Sequence, residues 1–379
     1  MDKIVVKGGN SLSGELEVSS AKNSYLPILA GAILCSGEVI LHKYPKYDDV
    51  LNMIEILENL GGKSRVQGSS LILDMTCLNG FEIPSNLASL TRSSIFSLGS
   101  ILGRFKYAKV AYPGGCEIGA RPIDLHIKGL EALNVKVIDR RGYLTCDGRN
   151  MKGGDVHLDF PSVGATENVM MAGVLTKGRT RIFNAAKEPE IVDLQNFLNK
   201  AGAKIRGAGT TTIVIDGVEK LGSVEYTPIS DRIITGTYII ATSMCGGDVT
   251  LTNTRSDHLQ ALISKLDNSC CKIKVKGDRI RVISSGRHKS INKIETMPYP
   301  GFPTDLQPQI MALEAISNGT SVIVENLFET RFKHVSELVK MGAQILTEGR
   351  SAVIKGVEKL YGAESRRPSG LRKTTLETN

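Results

Sequence analysis

A single cysteine stands in the glycine-rich segment YPGGCEIGARPIDLH, residues 112–126, with Arg121 five residues and His126 ten residues beyond it. Free cysteine is usually a buried small hydrophobe, so a chemical role for Cys116 needs more support than its residue type. Glycines leave backbone N–H groups available, and Arg121 adds a nearby positive charge. Both features favour the thiolate, which is the reactive form of cysteine. The segment therefore indicates a thiol that does chemistry on a loop.

Charged residues at predicted helix starts could bind anions and move protons. Lys22 is the second residue of the apolar segment AKNSYLPILAG, where a helix N-terminus would add its own positive field. Arg92 is the second residue of the similar segment TRSSIFSLGS. Asp305 in PGFPTD has two interpretations, a helix N-cap or a general base. Residues 162–164 precede another apolar helix, and their backbone N–H groups either receive a phosphate or serve only in capping.

The composition is typical of a soluble protein with two domains. The chain has 379 residues, of which 41% are hydrophobic and 23% charged. The N-terminus has no apolar signal core, and no apolar stretch reaches the ~18 residues of a membrane span, so we expect a cytoplasmic protein without membrane insertion. A net charge of +8 with scattered basic residues and no Trp favours small anionic ligands and predicts no nucleic-acid partner.

The sequence predicts no metal and no cofactor. Its seven cysteines form no CxxC pair, which argues against a disulfide framework and a zinc knuckle. No His, Asp and Glu cluster has metal-ligand spacing, and the glycine-rich stretch is neither a P-loop nor a dinucleotide motif. The six cysteines other than Cys116 are interpreted as core or surface residues.

One supersecondary unit recurs five times along the chain. A helix-period segment ends at a turn and is followed by two β-rich runs, as in IEILENLGGKSRV with SSLIL. The turns are 66 to 74 residues apart and lie near residues 61, 134, 202, 268 and 342. A second helix in each unit is apolar nearly all round, so we expect it to be buried.

The repeat units divide between two lobes. Three units fall in residues 21–229, and the N-terminal strands KIVVKGG and GELEV would pair with the remaining two. We therefore predict a discontinuous first lobe of residues 1–20 plus 230–363 and a second lobe of residues 21–229 that carries a catalytic loop at 112–122. A ligand cleft would lie between the lobes.

Two local predictions concern helix ends. Ile123, Ile127 and Leu130 would share the core face of the helix after the loop, so Asp124 and His126 should point away from the core. Ser and Thr are common N-cap residues. We therefore predict that four of the buried helices are capped by Ser20, Thr166, Ser230 and Thr304.

Seven motifs together resemble one family. They are AKN at 21–23, PGGCEIGARPIDLH at 113–126, FPSVGATEN at 160–168, AAKEPEIVDL at 185–194, DRI at 231–233, PGFPTD at 300–305 and ENLFETRFKHVSEL at 325–338. In this order they are similar to the UDP-N-acetylglucosamine 1-carboxyvinyltransferase family from Met1 to about Ala363. The resemblance implies a two-lobed inside-out α/β barrel of repeated βαβ-type units, the enolpyruvyl transferase fold. It also implies transfer of enolpyruvyl from phosphoenolpyruvate to the 3'-hydroxyl of UDP-N-acetylglucosamine in peptidoglycan synthesis, on which cell shape and division depend.

The resemblance assigns roles residue by residue. It implies that Cys116 acts in proton transfer on a mobile loop, adds to phosphoenolpyruvate and is alkylated by fosfomycin. It implies that Asp305 is the general base and that Lys22, with arginines, holds the anionic groups of phosphoenolpyruvate. The residues that it implies for substrate binding are Asn23, Arg92, Arg121, Pro122, Asp124, Leu125, Ser162, Val163, Gly164, Glu188, Asp231, Arg232 and Leu327.

Two other functions stay open from the sequence. The enzyme 5-enolpyruvylshikimate-3-phosphate synthase shares the lobes and phosphoenolpyruvate, but the cysteine loop and FPSVGATEN argue against it. The second is a catalytically impaired short copy that at most binds UDP-N-acetylglucosamine. Six units of ~70 residues would need roughly 420 residues, and the chain has 379. We expect five of six units, a missing arginine for phosphoenolpyruvate, and a disordered or frame-shifted tail at residues 364–379.

Overall fold

Two compact lobes make up the structure, which is a computed structural model. It describes residues 4–114, 123–267 and 271–364. The first lobe comprises residues 4–19 and 230–364, and the second comprises residues 20–229. Each lobe combines α-helices with small β-sheets, which confirms the α/β fold class.

Twenty short β-strands occur in the described ranges. They are β1 (Leu12–Glu17), β2 (Glu38–Leu41), β3 (Lys63–Gln67), β4 (Ser70–Asp74), β5 (Glu82–Ile83), β6 (Tyr107–Ala111), β7 (Lys136–Arg140), β8 (Tyr143–Asp147), β9 (Asp155–His157), β10 (Arg179–Phe183), β11 (Lys204–Arg206), β12 (Thr212–Asp216), β13 (Val224–Tyr226), β14 (Gly247–Thr252), β15 (Cys271–Lys276), β16 (Arg279–Ser284), β17 (Lys293–Glu295), β18 (Thr320–Val324), β19 (Gln344–Glu348) and β20 (Ser351–Lys355).

The helices of the same ranges comprise eleven α-helices and four 3-10 helices. The α-helices are α1 (Lys22–Ala32), α2 (Asp48–Asn59), α3 (Ser85–Ala88), α4 (Ser97–Phe105), α5 (Asp124–Glu131), α6 (Val163–Val174), α7 (Pro189–Lys200), α8 (Arg232–Cys245), α9 (Gln260–Leu266), α10 (Gln307–Glu314) and α11 (Val335–Lys340). The 3-10 helices span Arg92–Phe96, Ser256–Leu259, Thr304–Leu306 and Arg331–His334.

Five four-stranded sheets confirm the five repeat units. The second lobe holds the sheets β13-β2-β4-β3, β5-β6-β8-β7 and β11-β12-β10-β9, and the first lobe holds β1-β14-β16-β15 and β17-β18-β20-β19. Every sheet has one parallel pair at one edge and an antiparallel hairpin at the other, as in β13 with β2 and β3 with β4. The strands form separate sheets, and no closed barrel is seen across the described residues.

The turns that follow α2, α5, α7 and α11 have the same backbone conformation. Gly61, Asn134, Gly202 and Gly342 have φ values of +98°, +64°, +115° and +94°. Glycine and asparagine adopt this left-handed conformation at the lowest cost, which explains their recurrence at the end of a helix. The fifth predicted turn, near residue 268, lies outside the described residues.

The second helix of each repeat unit is buried most completely in the second lobe. Residues 24–32 of α1 and 165–174 of α6 are all buried. In the first lobe, α8 is partly exposed, and its Tyr238 is 40% exposed. The prediction of buried apolar helices is therefore confirmed for α1 and α6 and holds only in part for α8.

The predicted N-terminal strand KIVVKGG is wrong. Ile4, Val5 and Val6 are 76%, 92% and 82% exposed and belong to no strand. The following segment does form β1, which pairs in parallel with β14. An extended segment becomes a strand only when a neighbour pairs with its backbone, and no described residues do so at positions 4–9.

None of the four hydroxyl residues predicted to cap helices, Ser20, Thr166, Ser230 and Thr304, is the N-cap of its helix, whereas the capping interpretation of residues 162–164 is confirmed for Ser162. The N-cap of α6 is Ser162, whose hydroxyl accepts from the Ala165 amide at 3.4 Å. The N-cap of α8 is Asp231, which accepts from two backbone amides. Thr166 and Thr304 already lie inside their helices, and α1 has no side-chain cap.

Within the described ranges, no helix is long and apolar enough to cross a membrane.

Candidate active site

Lys22 and Asp49 form an ion pair in the second lobe. Lys22 is the first residue of α1, and its side chain is 16% exposed. Asp49 lies in the first turn of α2 and also accepts a hydrogen bond from the Thr91 hydroxyl at 3.0 Å. Asp49 was not predicted from the sequence, because an acidic residue in the first turn of a helix is ordinary. The predicted anion-binding lysine thus has an acidic neighbour that orients its side chain.

Arg92 is linked to the Asp49 carboxylate through its neighbour Thr91. It begins the 3-10 helix that Thr91 caps, since the Thr91 hydroxyl accepts from the Ser93 amide at 3.2 Å. The hydroxyl of Thr91 donates to Asp49 at 3.0 Å. The structure therefore brings together the starts of the elements that carry Lys22 and Arg92.

The first turn of α1 is also anchored to α7. Ser24, which follows Asn23, donates a hydrogen bond to the buried carboxylate of Asp193. The same carboxylate accepts from the Tyr226 hydroxyl at 2.6 Å and from the Ile229 amide at 3.1 Å. Burial raises the pKa of Asp193, while these hydrogen bonds oppose the rise. These contacts fix the helix turn that carries Lys22 and the half-buried Asn23.

The starts of α5 and α6 lie side by side. His126 is 6% exposed, which overturns the prediction that it points away from the core. The Asn168 side-chain amide donates to its Nδ1 at 2.7 Å, and a Cβ at Gly164 would lie 3.0 Å from its ring. Glycine therefore allows the imidazole to pack against the first turn of α6.

This packing brings predicted nucleotide-binding residues of two helices together. Asp124 is exposed at the start of α5, and Leu125 is half-buried. Ser162 caps α6, and Val163 and Gly164 are its first residues. Backbone N–H groups in a first helical turn have no partner within the helix, so they are available to an anion.

Carboxylates cluster where α6 and α7 meet. Glu188 is the N-cap residue of α7, and Glu190 lies in its first turn. Glu167 of α6 is 1% exposed. Burial raises the pKa of Glu167 well above its usual range, and the charges of Glu190 and Glu188 add to the effect. The neutral form of Glu167 is therefore favoured.

Asp305 lies in the first lobe and is held by an arginine. It is the second residue of the 3-10 helix Thr304–Leu306, whose N-cap is Pro303, so the cap interpretation of Asp305 is not seen. Arg331 donates to its Oδ1 at 2.9 Å, and the Asp305 side chain is 37% exposed. Arg331 was missed from the sequence, although it lies in the motif at 325–338.

Leu327 is fixed through its backbone by Glu325. The Glu325 Oε1 accepts from the amides of Leu327 and Phe328 at 2.9 and 3.1 Å. The same oxygen accepts from the Thr296 hydroxyl at 2.8 Å, and Oε2 accepts from the Thr304 hydroxyl at 2.9 Å. The carboxylate is 1% exposed. It therefore links three separate segments of the first lobe.

His334 is a neutral imidazole close to Arg331. Its Nδ1 donates to the Arg331 carbonyl oxygen at 3.1 Å. Burial lowers the pKa of His334 to about 4, and the positive charge of Arg331 acts in the same direction.

Asp231 and Arg232 stand at the start of α8. Asp231 is 2% exposed and accepts from the Ile233 and Ile234 amides at 2.8 and 3.0 Å. Arg232 lies over the Tyr299 ring, 5.7 Å from its centre, and lines a cavity of about 110 Å³. The structure thus gives Asp231 a capping contact and places Arg232 at a cavity of the first lobe.

The predicted catalytic loop lies largely outside the described residues, and so do Cys116, Arg121 and Pro122. Among the described cysteines, burial raises the pKa of Cys35 and Cys146 to about 12. Cys77 and Cys245 are exposed. No group of three or more His, Cys, Asp or Glu that could hold a metal ion occurs in the ranges the structure describes.

The class of protein follows from the fold and from a family match. The family model described as EPSP synthase (3-phosphoshikimate 1-carboxyvinyltransferase) matches residues 6–368. The enolpyruvyl transferase NikO from Streptomyces tendae has a TM-score of 0.82 at 22% identity, covering 92% of this chain and 83% of that one. EPSP synthase from Acinetobacter baumannii has a TM-score of 0.68 at 16% identity, covering 93% of this chain and 83% of that one. The fold is that of the carboxyvinyltransferases.

Relatives of higher sequence identity show which carboxyvinyltransferase family the chain belongs to. UDP-N-acetylglucosamine 1-carboxyvinyltransferase 2 of Caldanaerobacter subterraneus subsp. tengcongensis is 51% identical over 364 residues, which cover 96% of this chain and 87% of that protein. UDP-N-acetylglucosamine 1-carboxyvinyltransferase 1 of Symbiobacterium thermophilum is 50% identical over 96% of this chain and 83% of that protein. The chain belongs to the UDP-N-acetylglucosamine 1-carboxyvinyltransferase family, as the motifs predicted.

Proposed function

We propose that this chain transfers the enolpyruvyl group of phosphoenolpyruvate to the 3'-hydroxyl of UDP-N-acetylglucosamine and releases phosphate. The observation that carries the proposal is 51% identity, over 96% of the chain, to a carboxyvinyltransferase that acts on this sugar nucleotide by name. Both substrates are anionic metabolites, which agrees with a net charge of +8. The proposed reaction is the first committed step of peptidoglycan synthesis and takes place in the cytoplasm.

The chemistry requires one base and one acid. The sugar hydroxyl loses a proton as its oxygen attacks C2 of phosphoenolpyruvate, and C3 gains a proton. Phosphate then leaves C2 while C3 loses a proton, which restores the double bond. Groups on opposite faces of the new bond must therefore accept and donate protons.

Asp305 is our candidate for the base. Its carboxylate is 37% exposed, so a bound hydroxyl can reach it, and the Arg331 contact at 2.9 Å restricts its orientation. Orientation of this kind is a large part of the advantage that an enzyme has over free reactants. We assign Cys116 to proton transfer and product release on the strength of the family motif alone.

Lys22, Arg92 and Arg121 are our candidates for the anionic groups of phosphoenolpyruvate. Lys22 joins a side-chain charge to the N-terminus of α1, and both attract an anion. Its partner Asp49 reduces the net charge at this point, while it keeps the long lysine side chain in one place. Arg92, at the start of a neighbouring 3-10 helix, would compensate for that loss.

The nucleotide contacts are proposed on helix starts. The N–H groups of Val163 and Gly164 would receive the diphosphate, since the Ser162 N–H already donates to the Phe160 carbonyl oxygen at 2.7 Å. Asp124 and Leu125, with Arg121 and Pro122, would line the uridine end. Asn23 would orient the sugar, and Leu327 would contact it. The proposed outer polar shell consists of Glu188, Asp231 and Arg232.

A substrate exchange tests the proposal. Phosphate release from phosphoenolpyruvate is measured with UDP-N-acetylglucosamine and, in parallel, with shikimate 3-phosphate as acceptor. We expect release only with the sugar nucleotide. Release only with shikimate 3-phosphate would favour the second enzyme of this fold, to which the family model's own description refers. Calorimetric binding of UDP-N-acetylglucosamine without any release would identify a copy that binds and does not turn over.

A further inference from the structure

Glu325 has more hydrogen-bond partners than the turn beside it requires. A carboxylate that accepts from amides two and three residues ahead, here Leu327 and Phe328, is a common local turn cap. Glu325 also accepts from Thr296 and Thr304, which lie 29 and 21 residues away in the sequence. A local cap does not explain these two contacts.

The two distant contacts both come from the part of the chain that leads into the 3-10 helix of Asp305. Thr296 follows β17, and its hydroxyl also accepts from the Asn326 amide at 3.0 Å. Thr304 immediately precedes Asp305 and opens the same 3-10 helix. One carboxylate thus holds the segment that carries Asp305 and the segment that carries Leu327.

Burying the Glu325 carboxylate costs free energy, and this cost argues that the side chain has a specific role. Glu325 is 1% exposed, and burying a charged carboxylate is unfavourable unless donors surround it. Four donors meet its two oxygens, two from backbone amides and two from threonine hydroxyls. Four hydrogen bonds of 2.8 to 3.1 Å to one buried carboxylate limit the movement of all four donors.

We propose that Glu325 is a positioning residue that sets the Asp305 carboxylate and the Leu327 backbone in register for the sugar of the nucleotide. This inference rests on the proposed function, in which Asp305 is the base for the sugar hydroxyl. Glu325 acts through Thr304 and through the Leu327 amide and does not itself touch the substrate.

Two substitutions of Glu325 in the full chain separate its contacts. In Glu325→Gln, the side-chain oxygen of the glutamine accepts from the backbone amides of Leu327 and Phe328. The Thr304 hydroxyl rotates and accepts from the new side-chain NH₂ group. In Glu325→Ala all four donors lose their acceptor. We expect the affinity for UDP-N-acetylglucosamine to stay within about threefold of wild type in Glu325→Gln and to fall at least ~10-fold in Glu325→Ala.

Hydrogen exchange gives a second measurement that is independent of the substrate. The Leu327 and Phe328 amides should exchange faster in Glu325→Ala and retain most of their protection in Glu325→Gln, because only the alanine removes their acceptor. Unchanged exchange in Glu325→Ala would overturn the positioning role.

Glu314 is the matched control in the same lobe. It is 0% exposed and accepts from the Ile291 amide at 3.0 Å, from His288 at 3.2 Å and from the Ser321 hydroxyl, and the proposed substrate contacts do not include it. Glu314→Ala should lose thermal stability as Glu325→Ala does, while nucleotide affinity stays within about threefold of wild type. Equal affinity losses in the two variants would mean that Glu325 only stabilises the fold.

Thr304→Val covers the case in which Glu325→Ala does not fold. It removes one donor and nearly keeps the side-chain shape, so we expect nucleotide affinity to fall as in Glu325→Ala, but by a smaller factor. Ser321→Ala is the control for this variant.

A wild-type chain that binds no UDP-N-acetylglucosamine would overturn the proposed function and this inference together. A wild-type chain that binds it, with Glu325→Ala and Thr304→Val equal to their controls, would overturn the positioning role alone.

Discussion

At the scale of single residues, two of the candidate site residues lie in pairs of opposite charge. Lys22 pairs with Asp49 in the second lobe, and Asp305 pairs with Arg331 in the first. In both pairs one partner was predicted from the sequence and the other was not. A charged group that must meet a substrate benefits from a partner that orients it, since a long side chain otherwise samples many rotamers.

Asp305→Asn should separate binding from chemistry. The amide keeps the size of the side chain and an oxygen for Arg331, but it is not a base. We expect turnover to fall by ~10²-fold or more, while nucleotide affinity changes little. The matched control is Asp248→Asn, which alters a different Asp–Arg pair of the first lobe and should leave turnover unchanged. Equal turnover in Asp305→Asn and wild type would remove Asp305 from the base role.

Cys116 should be the thiol that fosfomycin alkylates. Peptide mass mapping is expected to find label on Cys116 alone, and faster labelling with UDP-N-acetylglucosamine bound, because the family resemblance implies a loop that closes over the nucleotide. Cys77 and Cys245, which are exposed, serve as internal controls for unspecific reaction. Cys116→Ser should abolish labelling. Label found mainly on Cys77 or Cys245 would contradict the assignment.

At the scale of elements, two short helices of the first lobe carry Asp305 and Arg331. The 3-10 helix Arg331–His334 carries Arg331 at its first position and His334 at its last, and the Thr304–Leu306 helix carries Asp305. The His334 Nδ1 contact to the Arg331 carbonyl closes the first of these turns at 3.1 Å. The position of Arg331 is thus supported by its own helix as well as by Asp305.

His334 should make the first lobe sensitive to acid. Its pKa is about 4 in the folded chain, against an ordinary value of 6.5. As the pH falls from 6.5 to 4, the unfolded chain takes up a proton first, so the free energy of unfolding decreases by up to about 3 kcal/mol. Below pH 4 both states are protonated, and this contribution changes no further.

Histidine ring NMR measures that titration directly. We expect the His334 ring to remain neutral at pH 5.5, and urea unfolding of His334→Asn to depend less on pH between 7 and 4.5 than that of the wild type. His157→Asn, an exposed position in the second lobe, is the control. A His334 midpoint near 6.5 would contradict the prediction.

At the scale of the whole molecule, the two lobes differ in how fully their apolar residues are covered. The second lobe contains three four-stranded sheets, and the first contains two. In the first lobe Val5, Leu346 and Tyr361 are 92%, 71% and 61% exposed. Burial of apolar area is the main source of stability, so the second lobe should open less readily.

Limited proteolysis of the full chain should therefore leave a resistant fragment near residues 21–229. Hydrogen exchange on the uncut chain provides the same comparison and avoids the effect of cleavage within the loop at 112–122. We expect the slowest exchange in the second lobe, around α1 and α6, whose residues are almost entirely buried. A protease-resistant first lobe with a digested second lobe would show that the order of stability is the reverse.

The sequence by itself determined the features that depend on neighbouring residues. The repeated helix, turn and hairpin could be predicted because apolar periodicity and a Gly or Asn turn act within about 15 residues. The family could be predicted because its motifs are contiguous. The contacts that complete the site join residues far apart in the chain, such as Lys22 with Asp49 and Glu325 with Thr296, and only the packing of separate elements decides them. The same reason explains two wrong predictions. Val5 lies in a segment of strand-like composition, but no described strand pairs with it. His126 was predicted to point away from the core, but it is buried by α6, which begins 37 residues later.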